Sequence, residues 1–394
     1  MFSGQPNACV AVLAPSSGAA AIFPHMRDQG CLRLEALFGI PSRLMPSSLN
    51  ISPTPQSRAA DINAAFADPD VVAIVSTIGG DEGVRVLPFL DCGSPHAGPG
   101  QCPKILMGFS DVTSLHLYLY KLGHVTLYGG NLLCQFALSG PGMHDYTREC
   151  FLEAIQATVG QQTTSQTTLL SHPQDRLLVD VKASDEFQDG YLEWGDESNM
   201  GVSGVMEANP GLEWTGWAPD CHDVCGVLWG GCLDTLIGHL ATGTHLPGGD
   251  SASLAAHLAG AVLFVETSEE FASAGSVYSF FQTLGELGVL QTLGALLVGR
   301  PVTVSRGVHA GPGGDRGAYK AAQKAAVLRG IAEYCPPDAP LPVIFDLDFG
   351  HTDPQLLVPC GGTCYISAVS QSIKFSYVRH PGSEGGHGNA QQRM

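Results

Sequence analysis

Ser110 stands in the stretch Lys104-Ile-Leu-Met-Gly-Phe-Ser-Asp-Val-Thr-Ser-Leu115, where an apolar run stops and a helical pattern begins. A serine on a strand-to-helix turn presents its hydroxyl outward beside helix-start N–H groups, the arrangement a nucleophilic serine requires. The same local sequence fits a helix N-cap, whose side-chain oxygen accepts a backbone N–H two or three residues on. Nucleophilic chemistry demands more: a base for the hydroxyl proton, an acid that orients the base, and donors for an oxyanion. Candidates for each lie elsewhere in the chain. Glu266 ends the run Ala261-Val-Leu-Phe-Val-Glu266, His351 sits in Asp348-Phe-Gly-His-Thr-Asp-Pro354, and Gly79-Gly80 closes a third apolar run. Taken singly, Glu266 also reads as a first-turn helix charge and His351 as a surface turn residue.

These side chains need elements to carry them. Strands are predicted at Ala8–Ala14, Val71–Ile78, Lys104–Gly108 and Val125–Tyr128, with helices at Arg27–Phe38, Ser57–Phe66 and Val112–Lys121. Such alternation implies a parallel sheet with helices on both faces, and ligand sites at the carboxyl ends of its strands. Gly79-Gly80 and Ser110 then share a crevice. After the polar stretch Thr158–Asp175, short buried strands are predicted at Arg176–Val181, Gly226–Leu228, Ala261–Val265, Leu296–Val298 and Leu341–Phe345. Helical patterns fall at Asp234–Ala241, Ser268–Leu287 and Gly317–Cys335, while Cys92–Cys102 and Ser305–Arg316 read as glycine-rich loops.

The expected fold class is therefore α/β. A flavodoxin/Rossmann-like three-layer unit would occupy residues 1–160, a linker and substrate-loop region 161–225, and a mixed α+β, strand-rich unit 226–379, with a disordered tail at 380–394. The chain's 394 residues, 44% hydrophobic and 14% charged, suffice for two packed units.

Nineteen basic against 37 acidic side chains give a net charge of -18, which opposes nucleic-acid backbones and anionic membranes. Neither is expected as a partner, although one small nucleotide-like ligand is compatible. The 12 cysteines are scattered, and Cys9, Cys134 and Cys232 lie inside apolar runs, as free thiols acting as small hydrophobes do. Cys221/Cys225, with His222 between them, and Cys360/Cys364 are spaced more loosely than zinc frames, so no metal or other cofactor is expected. A start without a basic signal region, and no run long enough to span a bilayer, suggest a cytoplasmic protein.

Six segments occur together in one order: Ser76-Thr-Ile-Gly-Gly-Asp-Glu82, Gly108-Phe-Ser-Asp-Val-Thr113, Leu228-Trp-Gly-Gly-Cys-Leu233, Leu263-Phe-Val-Glu266, Gly299-Arg-Pro301 and Gly350-His-Thr-Asp-Pro354. In these the chain resembles the LD-carboxypeptidase family of serine peptidases, and most closely its microcin C self-immunity branch. The resemblance implies a triad of Ser110, Glu266 and His351 in a cleft between two units, and an oxyanion site at the N–H groups of Asp111 and the Gly79-Gly80 turn. It also implies a homodimer and hydrolysis of an amide in a small peptide or peptide-nucleotide conjugate. Tyr191-Leu-Glu-Trp-Gly-Asp-Glu197 resembles a loop that stacks an adenine-like base, making Trp194 a stacking candidate. Packing remains the alternative for Trp194, Trp214 and Trp217. Arg85 and Arg300 could receive a substrate carboxylate or serve as structural ion-pair partners. Two other functions stay open: an esterase with the same triad, weakened because Val112 fills the last position of Gly-x-Ser-x-Gly, and a catalytically silent small-molecule binder.

Overall fold

The apolar, β-branched runs pair into two sheets whose buried faces meet. A computed structural model describes residues 5–93, 104–165, 178–217, 222–305 and 307–379. The first sheet has the strand order Val358–Cys360, Thr126–Tyr128, Ile105–Gly108, Val71–Ser76, Cys9–Leu13, Ser42–Leu44. Five of these run parallel, and Val358–Cys360 pairs antiparallel at the edge, with Val358 opposite Tyr128. Parallel pairing places the ends of Val71–Ser76, Ile105–Gly108 and Thr126–Tyr128 on one rim of the sheet.

The second sheet has eight strands, ordered Val179–Val181, Ser372–Ser376, Thr363–Ser367, Val224–Cys232, Val262–Glu266, Ala295–Gly299, Val343–Leu347, Glu213–Thr215. Its middle is parallel and its flanks antiparallel, so it is mixed, as the sequence pattern suggested. Alternation along Val262–Glu266 serves two layers. Val262 and Phe264 pack into a core shared with Phe109, Tyr128 and Phe349, whereas Leu263 and Val265 pack with Phe281 and Val327 of the helices Ala274–Glu286 and Arg316–Tyr334. One core thus spans both sheets and sets the strand ends that carry Ser110 and Glu266 against each other.

Several predicted boundaries shift. The helix predicted from Ser268 begins at Ala274, because Ser273 caps it by accepting the Ser276 N–H at 3.0 Å. The polar stretch predicted from Thr158 starts inside the helix Asp145–Ser165, where Thr158 is buried and donates to the Ala154 carbonyl at 2.8 Å. Ser305–Arg316 is not plain loop: Val304–Ser305 and Val308–His309 form a hairpin, and Arg316 opens a helix capped by Asp315. Strands Glu186–Asp189, Met206–Ala208 and Thr352–Asp353 form a small sheet absent from the sequence reading. Most of the Cys92–Cys102 loop, Cys221 and the tail from His380 lie outside the described residues.

Candidate active site

At the end of Ile105–Gly108 the backbone of Phe109 is still extended, at φ -147° and ψ -174°, and Ser110 then turns to φ +66°. That left-handed conformation is uncommon for a residue with a Cβ. It reverses the chain into a short 3-10 turn, Ser110–Val112, that runs into the helix Thr113–Lys121. The Ser110 hydroxyl caps neither element, so the N-cap alternative is not realised. Its backbone is clamped on both sides. The Ser110 N–H donates to the Tyr128 hydroxyl at 3.2 Å, and its carbonyl accepts from Thr113 Oγ1 at 2.6 Å. Thr113 Oγ1 in turn accepts the Cys232 N–H at 3.0 Å, which ties the Ser110 turn to the end of a strand in the second sheet.

Gly79 borders the hydroxyl. A Cβ on Gly79 would stand 2.9 Å from Ser110 Oγ and 3.3 Å from the Asp111 nitrogen, so only glycine leaves this approach open. Gly80 turns with φ +143° against Ser16 and Ser17. The buried Asp111 carboxylate accepts the Gly83 N–H at 2.7 Å, which fastens the segment after Gly79-Gly80 to the Ser110 turn. Burial, reinforced by Asp81 and Glu82, pushes its carboxyl up to about 6 against the lowering effect of that N–H.

Glu266 and His351 meet as an orienting pair. The Nδ1–H of His351 donates to Glu266 Oε2 at 2.7 Å, with Glu266 1% and His351 6% exposed. Tyr128 donates to the other oxygen, Glu266 Oε1, at 2.6 Å. A Cβ on Gly350 would lie 2.7 Å from Glu266 Oε2, so the position before His351 must be glycine for the histidine to reach its partner. The Phe109 ring stands edge-on to the imidazole at 5.0 Å between centroids.

The nitrogen expected to face the serine is occupied. His351 Nε2 lies 3.0 Å from Glu269 Oε2, and no hydrogen bond joins Ser110 Oγ to His351. Burial alone would lower the imidazole's pKa, but Glu266 and Glu269 together hold it well above the usual histidine range. In this state His351 lies between two carboxylates.

The remaining candidates fall outside this cluster. Trp194 stands edge-on to Phe23 at 5.8 Å and tilted to Tyr191 at 6.2 Å, and Tyr191 bonds Gln135 at 3.1 Å. Arg300, 2% exposed, pairs with buried Asp348 at 2.8 Å, and exposed Arg85 pairs with Glu82 at 2.7 Å. Trp214 and Trp217 pack against each other at 5.2 Å. Cys9, Cys134, Cys232, Cys360 and Cys364 are buried free thiols. Sequence reasoning passed over Tyr128 and Glu269. The first ends a predicted strand beside Ser110's own, a signal that could have found it, whereas nothing local marks the second.

Two α/β units with a serine on a strand-to-helix turn in one and an acid–histidine pair in the other define the class. The chain belongs to the LD-carboxypeptidase family: that family's N-terminal domain model matches residues 10–129 and its C-terminal domain model residues 225–366. It is 27% identical to the microcin C7 self-immunity protein MccF of Escherichia coli over 82% of this chain and 79% of that one. It is also 27% identical to YocD of Bacillus subtilis, over 82% of each. An MccF-like protein from Streptococcus pneumoniae, solved in complex with AMP, superimposes with a TM-score of 0.71 at 26% identity, over 94% of this chain and 99% of that one. Among the described residues no helix is long and apolar enough to cross a membrane.

Proposed function

We propose that this chain is a serine peptidase of the LD-carboxypeptidase type, which hydrolyses an amide in a small peptide or aminoacyl-nucleotide-like conjugate through Ser110, Glu266 and His351. The observation that carries this reading is the Glu266–His351 contact of 2.7 Å, buried next to a serine held at φ +66°. An isolated surface histidine needs no buried carboxylate behind it. Neutral His351 would take the Ser110 proton as Oγ attacks the amide carbonyl, then deliver it to the leaving amine, while Glu266 fixes the tautomer and stabilises the imidazolium. The Ser110 N–H is already spent on Tyr128. The oxyanion is therefore assigned to the Asp111 N–H and the Gly79-Gly80 turn, a reading supported by how closely Gly79 approaches both Ser110 Oγ and the Asp111 nitrogen.

For Nε2 to reach Ser110, Glu269 must leave it. Catalytic hydrogen bonds tighten in many enzymes only once substrate is bound, as the triad requires here, and the occupied Nε2 is the observation that favours the silent binder. We further propose that Trp194 stacks a substrate base, that the protein works in the cytoplasm, and that it is a homodimer. Support for a nucleotide-like ligand comes from the Streptococcus relative solved with AMP.

The test pairs covalent labelling by a fluorophosphonate with hydrolysis of an LD-tetrapeptide and of an aminoacyl sulfamoyl adenosine. Labelling at Ser110 and turnover of either compound, both lost in Ser110→Ala, are expected. Labelling absent from the native protein, with ligand binding retained, would establish the silent binder instead.

A further inference from the structure

Tyr128 touches the nucleophile and the acid with one atom. Its side chain is wholly buried at the end of Thr126–Tyr128, with the ring packed against Phe264 at 5.3 Å, Phe109 at 6.4 Å and His116 at 5.4 Å. His116 is itself fixed, with Nδ1 2.7 Å from Thr126 Oγ1 and Nε2 2.8 Å from the Gly108 carbonyl, and burial lowers its pKa to about 4. The phenol therefore has little freedom to turn away from Glu266. Burial first, then the Glu266 charge, pushes its pKa far above 10, so it keeps its proton. A phenol has one proton to give. Because that proton goes to Glu266 Oε1 at 2.6 Å, a lone pair is left to accept the Ser110 N–H at 3.2 Å.

We propose that Tyr128 is a positioning residue for the reaction proposed above: it holds Ser110 in its left-handed turn and sets Glu266 so that the second carboxylate oxygen meets His351. The inference rests on the serine-peptidase reading. Without the hydroxyl, the Ser110 N–H loses its acceptor, and the turn at φ +66° keeps its clamp on the carbonyl side alone, from Thr113 Oγ1. Glu266 would lose its only donor other than His351 among the described residues, and its charge would bear more heavily on the imidazole. The charged or titratable groups concerned are few. His351 faces Glu266, Glu269 and Asp353; Glu266 faces Tyr128, His351 and the Cys232 thiol; Tyr128 faces His116, Cys232 and Glu266.

The experiment measures the second-order rate of fluorophosphonate labelling against pH for the full chain, for Tyr128→Phe, and for a variant with ring-fluorinated tyrosine at 128. Tyr128→Phe should label at least tenfold more slowly, and the acid limb of its profile should move to higher pH, since an undiluted Glu266 charge favours the imidazolium. Steady-state turnover should show the loss in kcat with KM little changed. The fluorinated side chain, a stronger donor of the same shape, should move the limb to lower pH while retaining the fold. Equal rates and coincident limbs in all three proteins overturn the proposal, as does a slower rate with both limbs unmoved, the mark of a merely structural tyrosine. If Tyr128→Phe fails to fold, the fluorinated variant decides by itself. A native protein that never labels overturns the serine-peptidase reading, a separate result.

Discussion

Glu269→Gln tests whether the contact on His351 Nε2 restrains the base. In the structure the imidazole is flanked by Glu266 Oε2 at 2.7 Å and Glu269 Oε2 at 3.0 Å, and both carboxylates favour its charged form. On the proposed mechanism only neutral His351 would accept the Ser110 proton, so its raised pKa would set the acid limb of activity, on the alkaline side of an ordinary histidine. Two unit charges 3.0 Å apart interact by about 1.4 kcal/mol in a water-like dielectric. That is roughly one pKa unit. The Glu269 side chain is 41% exposed, and measured exposed pairs contribute about 0.2–1 kcal/mol, so roughly half a unit is the discounted figure. Glutamine preserves the shape and removes the charge. The acid limb of fluorophosphonate labelling should therefore move down by about half a unit, with faster labelling near neutrality. Stability offers a second reading. A histidine whose folded pKa is raised contributes stability that is complete below its unfolded value and is lost as pH rises through the folded value. Glu269→Gln should flatten that decline in chemical denaturation curves. A limb that stays in place, or moves up, would refute the reasoning.

Gly79→Ala should cut labelling and kcat more than tenfold, since the new methyl would sit 2.8 Å from Ser110 Cβ and 2.9 Å from its Oγ; native rates would show that the hydroxyl does not work on that side. Trp194→Ala should raise KM for an aminoacyl sulfamoyl adenosine by the equivalent of about 1–3 kcal/mol while sparing an LD-tetrapeptide. An equal loss on both compounds would make it a packing residue. Asp348→Ala strands the buried Arg300 guanidinium and should cost about 3–5 kcal/mol in urea unfolding. A cost under about 1 kcal/mol would mean that solvent reaches Arg300.

Local pattern reached far into this fold and then stopped at the pairings. The runs through Val71, Ile105, Val262, Leu296 and Val343 read as strands because apolar β-branched residues between turn signals have few other uses. Ser110, Glu266 and His351 were legible as strand-end polar residues, and the six ordered segments supplied what single positions could not. Tyr128 and Glu266 lie 138 positions apart, and only the packing of one sheet on the other brings them within 2.6 Å. The predicted helix starts too early because Thr267–Ala272 has helix-compatible composition, whereas Phe271 at φ +57° is left-handed and Ser273 caps the helix that begins at Ala274. Glu269 on that segment could not be foreseen for the same cause.

The edge strand Val358–Cys360 sets an order of events in the making of this protein. Chains emerge from synthesis N-terminal end first, and early parts begin to fold as they appear. Here Thr126–Tyr128 must wait for residues 358–360 before its outer edge is paired. Until then an apolar strand carrying Tyr128 stays open, as a free edge does to any other extended chain. The nascent N-terminal half is therefore the stage at which a chaperone or a misfolding partner would find its target. Because this edge strand follows His351 by only seven positions, the first sheet closes and the Glu266–His351 pair forms at the same late stage.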